Sequence, residues 1–353
     1  MLRIRKYKLK KFMINLSVLA VTILFLLILS EIGLRVVEYT NSGSIIKFPN
    51  AIRPSEDPEI YFELVPNLKN QRFYDTIINI NSDGLRDREY VIEKPANTFR
   101  IVAFGDSVGF GWGVNLEDIY TEVLERNLNE NFKDKHYEVI NFGVPGYYTA
   151  QELRMLEVKA LKYSPDLVLV IYLFNDAEVK AFHKYDLLTF LYRKLNFFLK
   201  RESYLHYFLS TKFAETKARL NERKVLENSA EKNYGALLGY QFSNDSIGWK
   251  LSKESLIKMD QISQGNNAKF LLVLWPDIQD LNNYQYEELH GIILNFCKET
   301  NLDCIDLLED YKKYADIPMG TGPEKKDAHP DKLGHKIMAD AIYKKIVEDN
   351  LIF

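Results

Sequence analysis

An uncharged apolar run near the N-terminus restricts the fold of this 353-residue chain more than any other feature. The run covers 19 residues, 12–30. A helix of that length spans about 30 Å, the thickness of the hydrocarbon core of a bilayer. A cleaved signal peptide has a shorter apolar core followed by small residues, whereas this run continues into SEIGLRVVEY. We therefore predict an uncleaved transmembrane signal anchor at 12–30.

The charges around this run predict the orientation of the chain. Six Lys or Arg residues lie within 1–11, more than follow directly after residue 30. Positive charges beside a span stay in the cytoplasm, so we predict a cytoplasmic basic tail at 1–11 and a single-pass protein whose remainder is extracytoplasmic. A buried helix of a soluble protein is the alternative. Residues 31–98, with four prolines between 49 and 66, are predicted as a membrane-proximal linker with short strands.

From residue 99 onward, short apolar runs alternate with amphipathic stretches. The runs are rich in β-branched residues and apolar at successive positions, which is typical of strands buried on both faces of a parallel sheet. They lie at 99–104, 137–142, 166–174, 268–276 and 304–308. The stretches between them have apolar residues at helical spacing. Residues 99–353 are therefore predicted to form an α/β fold, a three-layer α/β/α sandwich around a mainly parallel sheet.

One segment, about 177–267, interrupts this alternation because it contains no strand pattern. Its residues 185–209 place leucine and phenylalanine side chains on one stripe of a helix. We predict a helical insertion, and the sequence leaves three roles open for it. It could form an extra packing layer, a lid over a site, or a stripe that rests on the membrane surface.

Composition excludes several classes of function. The formal net charge is −3, so no basic surface points to a nucleic-acid partner. The chain lacks the GxGxxG and P-loop fingerprints, the HExxH motif and any carboxylate cluster, so we expect no cofactor and no metal. Its two cysteines, Cys297 and Cys304, lack the spacing of a zinc site. They could pair in an oxidising compartment or remain two small buried residues.

Residues with chemical potential follow the predicted strands. Ser107 comes after the strand at 99–104, Gly143 after the next strand, and Asn175 after the third, while His329 lies in a loop before the last helix. Ligands of parallel α/β sheets bind beyond the carboxyl ends of the strands. We therefore expect these four residues to meet at one rim of the sheet.

The chemistry of these residues suggests a role for each. A serine hydroxyl such as Ser107 needs a base within hydrogen-bond reach, which His329 can supply while Asp327 orients its imidazole. The backbone N–H groups of Ser107 and Gly143 and the side-chain amide of Asn175 could stabilise a tetrahedral oxyanion. Other interpretations stay open: the serine could be a helix N-cap, the glycine could serve a turn, and the asparagine could cap its own loop.

The motifs GDS at 105–107, NFGVPGYYT at 141–149, FND at 174–176 and DAHPDKLGH at 327–335 occur in the order and spacing of the SGNH/GDSL hydrolases. The chain resembles this family over most of its length from residue 81, apart from the insertion. The segments INSDGLRD and GFGWGV resemble the membrane-anchored bacterial branch. The resemblance implies a flavodoxin-like sandwich and an ester hydrolase or acyltransferase. It implies that Ser107 is the nucleophile.

The resemblance also implies that Gly143 and Asn175 are oxyanion donors and that His329 is the base. The sequence departs from the family pattern at the third triad member. The family commonly has its aspartate three residues before the histidine, where this chain has Lys326, and the aspartate here stands two before, at Asp327. An extended segment places residues two apart on the same side, which favours Asp327 as the partner; Glu324 is the competing candidate.

The sequence thus predicts a membrane-anchored, extracytoplasmic serine esterase, deacylase or O-acyltransferase without metal or cofactor. Its substrate is expected to be an acyl ester, with O-acetylated polysaccharide as one candidate. The rival interpretation is a catalytically inactive SGNH-like domain that binds glycans or acts as a scaffold in the cell envelope.

Overall fold

The computed structural model describes residues 2–40, 51–73, 76–177, 187–227, 241–243, 246–322, 325 and 327–352. The chain divides into two units. The anchor unit comprises Met1–Asn50 and Leu187–Asn221, and the sheet unit comprises Ala51–Asp186 and Glu222–Phe353.

The sheet unit is built on five parallel strands of the described chain. In spatial order they are β6 His136–Asn141, β5 Thr98–Phe104, β7 Leu167–Tyr172, β8 Lys269–Leu274 and β9 Cys304–Asp306. Val102 of β5 pairs with Ile140 on one side and Val168 on the other. Two antiparallel hairpins precede this sheet. The strands are β1 Ile52–Pro54, β2 Phe62–Leu64, β3 Gln71–Phe73, β4 Thr76–Ile78, β5 Thr98–Phe104, β6 His136–Asn141, β7 Leu167–Tyr172, β8 Lys269–Leu274 and β9 Cys304–Asp306.

Helices cover both faces of the sheet. The described helices are α1 Leu2–Thr40, α2 Ser107–Phe110, α3 Tyr120–Asn131, α4 Thr149–Val158, α5 Leu187–Glu202, α6 Tyr204–Glu227, α7 Ile247–Gly265, α8 Glu287–Thr300, α9 Leu308–Lys312 and α10 Lys332–Glu348. Short 3₁₀ turns lie at Leu116–Asp118, Ala160–Tyr163 and Phe174–Ala177. One face packs on α3 and α10. On the other face Tyr172 meets Trp249 and Ser252 of α7, which in turn packs on α4.

The burial pattern explains why the strands could be predicted. Ile101, Ala103 and Leu169 belong to the core beneath α3 and α10, while the alternate residues Val102 and Val168 are equally inaccessible to solvent and lie outside that core. Side chains alternate between the faces of a strand, so both faces of the sheet are covered. The sheet is therefore the middle layer of an α/β/α sandwich, as predicted.

The segment predicted as a membrane-proximal linker with short strands contains β1 to β4. Helix α1 continues to Thr40, and the described residues of this segment from Ala51 onward belong to the sheet unit. The Tyr147 hydroxyl donates a hydrogen bond to the carbonyl of Phe62 at 2.5 Å, and the Gln151 side chain donates to that of Ile60 at 2.6 Å. The described part of this segment is therefore packed against the rest of the sheet unit.

The predicted insertion also separates into parts. Residues 178–186 and 228–240 lie outside the described chain. The helical stripe predicted at 185–209 is broken at Ser203, between α5 and α6. Helix α7, which fell inside the predicted insertion, is the crossover between β7 and β8, and its Leu256 and Met259 are fully buried.

Within the anchor unit, the predicted apolar helix over 12–30 is part of α1. Its stretch Tyr7–Val37 is long and apolar enough to cross a membrane by length and composition, and the side chains of its most apolar window are not buried in the protein.

Candidate active site

The turn from β5 into α2 presents Ser107 at the start of a short helix. Asp106 occupies the N-cap position, and its Oδ1 accepts a hydrogen bond from the backbone N–H of Val108 at 2.9 Å. Because Asp106 performs the capping, the hydroxyl of Ser107 is not the helix cap. Ser107 is half-buried and is the first residue of the helix, where backbone N–H groups have no partner within the helix.

A chain of hydrogen bonds connects Ser107 to the C-terminal loop. The Ser107 Oγ lies 2.8 Å from Nε2 of His329, and Nδ1 of His329 lies 2.5 Å from Oδ1 of Asp327. An Nδ1–H that donates to the carboxylate leaves Nε2 as the acceptor for the serine hydroxyl. The hydrogen bond from His329 holds the pKa of Asp327 below its usual value. The three side chains thus form one continuous Ser–His–Asp hydrogen-bonded chain.

Asp327 reaches His329 through a bend. Its Oδ1 accepts the backbone N–H of His329 at 3.0 Å as well as the ring Nδ1–H, so the aspartate turns back on the residue two ahead. The expected extended alternation is therefore replaced by an Asx turn that brings the same two groups together. The competing candidate, Glu324, lies outside the described residues.

Asn175 lies beside the serine through a shared partner. Its Nδ2 donates to Asp106 Oδ2 at 2.7 Å, and the Ser107 Oγ lies 3.3 Å from the same oxygen. The amide therefore does not cap its own loop. An asparagine side chain has two N–H donors, so one hydrogen bond to Asp106 fixes the amide and leaves a second donor near the serine.

Gly143 has a packing role in this structure. A Cβ at this position would lie 2.4 Å from the backbone nitrogen of Phe110 and 2.5 Å from the carbonyl carbon of Gly109, so only glycine lets the loop approach α2. Its N–H donates to Oδ1 of Asn141 at 2.8 Å. The prediction that this amide faces an oxyanion is therefore not met here, because the N–H is already bound by the asparagine side chain.

A second glycine of the same loop offers a donor that the sequence analysis missed. Gly146 is exposed at φ +80°, and its N–H has no hydrogen-bond partner within the described part of the chain. Gly146 is the second glycine of the motif NFGVPGYYT, so the sequence motif already offered it as a candidate donor.

The sequence was compared with known protein families. The model of the GDSL-like lipase/acylhydrolase family matches residues 103–337, well over half of the chain.

The chain belongs to the GDSL-like lipase/acylhydrolase family. It is a serine ester hydrolase of the SGNH type. No curated protein matches it in sequence.

Solved structures that are similar to this chain include the following three, all of low sequence identity. The acetyl xylan esterase AlAXEase is 18% identical over 70% of this chain and 100% of its own, with a TM-score of 0.42. The acetylxylan esterase Axe2 from Geobacillus stearothermophilus is 13% identical over 70% of this chain and 94% of its own, with a TM-score of 0.42. TesA is 13% identical over 72% of this chain and 99% of its own, also at 0.42.

An aromatic residue supports the histidine of this GDSL hydrolase. The ring of Trp112 stacks on His329 with centroids 5.1 Å apart and planes 21° apart, and Phe73 meets Trp112 edge-on at 4.5 Å. Trp112 belongs to the segment GFGWGV, which we had related to the anchored branch without assigning a role to its tryptophan. The backbone of His329 is held as well, because its carbonyl accepts the N–H of Thr321 at 2.8 Å.

A buried arginine fixes the loop that carries Trp112. The guanidinium of Arg86 donates to the carbonyls of Phe110, Gly111 and Val114. Burial lowers the pKa of Arg86 to about 9. The segment INSDGLRD therefore supplies the residue that fixes the conformation of the loop after α2, although it lies more than twenty residues before it in sequence.

Buried carboxyl groups lie behind the serine turn. Asp176 accepts hydrogen bonds from the N–H and hydroxyl of Thr149 and from the N–H of Leu173, and burial raises its pKa to about 7. Glu152 is completely buried, and neither of its carboxyl oxygens has a hydrogen-bond partner in the described chain. Burial, together with the nearby charges of Asp176 and Asp106, raises the pKa of Glu152 well above its usual value.

Two further predictions concern metals and cysteines. Among the described residues no group of three or more His, Cys, Asp or Glu is arranged to hold a metal ion. Cys297 and Cys304, left open by the sequence, form a disulfide between α8 and the start of β9.

Proposed function

We propose that Ser107 is the nucleophile of this ester hydrolase, His329 its general base and Asp327 the group that orients the histidine. The observation that carries the proposal is the continuous hydrogen-bonded chain of 2.8 Å and 2.5 Å through these three residues. The half-buried serine at a strand end leaves room for a substrate carbonyl.

The reaction follows from these positions. As the Ser107 oxygen bonds to the ester carbonyl carbon, its proton passes to Nε2 of His329, and the carbonyl oxygen becomes an oxyanion. The imidazolium is stabilised by Asp327. It then returns the proton to the departing alcohol oxygen as the ester C–O bond breaks. Water, deprotonated by the same histidine, releases the acid from the acyl-serine and restores the hydroxyl.

The oxyanion requires preorganised donors, and three groups are available. The N–H of Ser107 stands at the N-terminus of α2, and the Asn175 amide is held near the serine by Asp106. We assign the third donor to the free N–H of Gly146 instead of Gly143, whose N–H is bound to Asn141. Gly143 remains necessary because it lets the loop approach α2.

The surroundings of the triad favour a hydroxyl-rich alcohol as the leaving group. A cavity of about 400 Å³ beside Asp327 is lined by polar and apolar residues, and neither the serine nor the histidine of the triad is among them. The polar residues include Gln279, Asp280 and Asn282, with Asp316 from the segment after α9. Amide and carboxylate side chains bind sugar hydroxyls and do not favour a long acyl chain. We therefore propose an O-acetylated glycan as substrate, deacetylated by water or by transfer to a second hydroxyl.

The proposed location is the extracytoplasmic face of a membrane. The apolar stretch Tyr7–Val37 supplies the anchor and the basic residues before it supply the orientation. A disulfide is typical of oxidising compartments, so Cys297–Cys304 supports the same side of the membrane.

An ester series tests the proposal. The full chain in detergent is given 4-nitrophenyl acetate, butyrate and octanoate, and O-acetylated xylo-oligosaccharide with and without an unacetylated acceptor. We expect the acetyl compounds to be preferred and Ser107→Ala to abolish their turnover. Formation of an acetylated acceptor would identify transfer, whereas release of free acetate would identify hydrolysis. Preference for octanoate would contradict the glycan proposal, and a folded but inactive wild-type chain would favour the scaffold alternative.

A further inference from the structure

The two helices of the anchor unit that follow residue 187 expose a row of large apolar side chains. On α5, Leu191, Leu195 and Phe198 recur at helical spacing and are each more than half exposed. On α6, Leu209 is similarly exposed and Phe213, four residues on, is 73% exposed. Soluble surfaces rarely carry contiguous apolar patches of this kind. We name α5 and α6 together the interfacial hairpin.

The corner of the interfacial hairpin is fixed to α1 just beyond the uncharged run. Glu31 accepts hydrogen bonds from the N–H groups of Tyr204 and Leu205 at 3.0 and 2.9 Å and from the Ser203 hydroxyl at 2.9 Å. These are the unpartnered donors at the start of α6, where a negative charge is favoured. Arg35 donates to the carbonyl of Glu202 at 3.0 Å, at the end of α5. Both ends of the corner are therefore held by charged residues of α1.

This attachment continues the apolar surface of α1 onto α6. Leu205 and Leu209 line an apolar groove of about 510 Å³ together with Leu27, Ile28 and Ile32 of α1. Charged residues directly after an apolar span lie at the membrane–water interface, which places Glu31 and the corner it holds at that depth. Leu205 and Leu209 then lie beside the end of the apolar span.

The charge of the interfacial hairpin fits the same partner. Residues 187–227 contain nine Lys or Arg and four Glu, although the whole chain has a net charge of −3. Amphipathic helices bind anionic bilayers because their apolar side chains are buried among the acyl chains and their basic side chains are attracted to the anionic lipid headgroups.

We propose that the interfacial hairpin lies in the surface of the lipid bilayer, with Leu195 and Phe213 in the acyl boundary of an anionic leaflet. The proposal rests on the membrane anchor proposed for α1. The sequence left three roles open for this segment. The proposal gives α5 and α6 the third role, an apolar stripe that rests on the membrane surface. A second copy of the chain is the alternative occupant that the experiment must separate.

The test uses the full chain in vesicles of phosphatidylcholine and phosphatidylglycerol. The sequence has no other cysteines than the disulfide pair, so single cysteines can carry a nitrobenzoxadiazole dye. Leu195→Cys and Phe213→Cys report on the hairpin, Lys212→Cys is the adjacent polar control, and Leu19→Cys reports on the anchor. Quenching by lipid-bound nitroxides measures contact with acyl chains, and turnover of a soluble ester confirms that each variant is folded.

We expect the dye at 195 and 213 to be quenched at least ~2-fold more than at 212, as for an interfacial amphipathic helix. Omitting phosphatidylglycerol should weaken the quenching at positions 195 and 213 and leave the quenching at position 19 unchanged. If the dye at position 19 were quenched but the dye at position 213 were quenched no more than the dye at position 212, the hairpin proposal would be overturned and the anchor proposal would stand. Absence of quenching at 19 would overturn both. Energy transfer between copies at 213 without lipid quenching would assign the surface to a second chain.

Discussion

The two units of this chain place the same kinds of side chain in opposite surroundings. In the sheet unit, every residue of β7 from Leu167 to Tyr172 is inaccessible to solvent. In the anchor unit, Leu19 and Leu195 are each 55% exposed. The sheet unit buries its own apolar surface, so it can also fix polar groups such as Ser107 at a strand end. The anchor unit does not bury its apolar surface, as the membrane location proposed for it requires.

The comparison predicts that chemistry depends on the sheet unit alone. His329→Ala should lower kcat/KM for a soluble acetyl ester by about 10⁶, because nucleophile and base act as one unit. Leu195→Glu, a drastic change in the anchor unit, should leave this value unchanged. Steady-state rates of the two detergent-solubilised variants, each compared with the wild type, test this prediction. A comparable loss in both variants would show that the units do not separate in this way.

A smaller loss is expected for Asp327→Asn, because the histidine keeps its place but takes the wrong tautomer. The expected decrease in kcat is about 10³–10⁴. Glu324→Gln, measured beside it, should retain full activity. If the glutamine variant alone were inactive, Glu324 would be the orienting acid. If neither lost activity, His329 would act with Ser107 as a dyad.

Asn175→Ala should cost less again, about 10²–10³ in kcat, the usual effect of losing one oxyanion donor. KM should change little, since the amide acts on charge that develops in the transition state. Asn131→Ala, at the exposed last position of α3, is the matched control. A rise in KM with unchanged kcat would give Asn175 a binding role in place of the one proposed.

The mildest effect concerns Glu152, whose burial contrasts with the exposed polar groups of the same unit. Its raised pKa means that the folded state keeps a proton that the unfolded state loses above pH 4.5, so stability falls as pH rises from there. Glu152→Gln should therefore match the wild type near pH 4 and become more stable than it toward pH 8. Denaturant unfolding of both, with exposed Glu288→Gln as control, measures the difference. A wild type more stable than the variant at pH 8 would contradict this.

The sequence predicted those features that depend on local pattern. The strands could be recognised because both faces of the sheet are buried, as the full burial of Val102 and Val168 shows. Ser107, Asn175 and His329 could be selected because each follows or precedes a regular element at the rim where parallel strands end. Their meeting in space then follows from the topology of the sheet.

Features that depend on distant partners could not be predicted. The break at Ser203 is supported by Glu31, which lies over 170 residues earlier and supplies the acceptor for a new helix start. The packing of Arg86 against the loop after α2 has no periodic signal. The sequence alone favours Gly143 as the donor, because a glycine at a strand end suits both a tight packing contact and an oxyanion site. Only the hydrogen bond from the Gly143 N–H to Asn141 distinguishes the packing role from the oxyanion role.

The central claim is that Ser107 is activated by His329 at the end of β5, and covalent labelling tests it most directly. The folded full chain is treated with a fluorophosphonate, digested, and the modified peptide is identified by mass spectrometry. We predict one modified residue, Ser107, and no labelling in Ser107→Ala or in His329→Ala at matched protein and probe concentrations. Equal labelling of the wild type and Ser107→Ala would show that the nucleophile lies elsewhere, and the hydrogen-bonded chain would then have only a structural role.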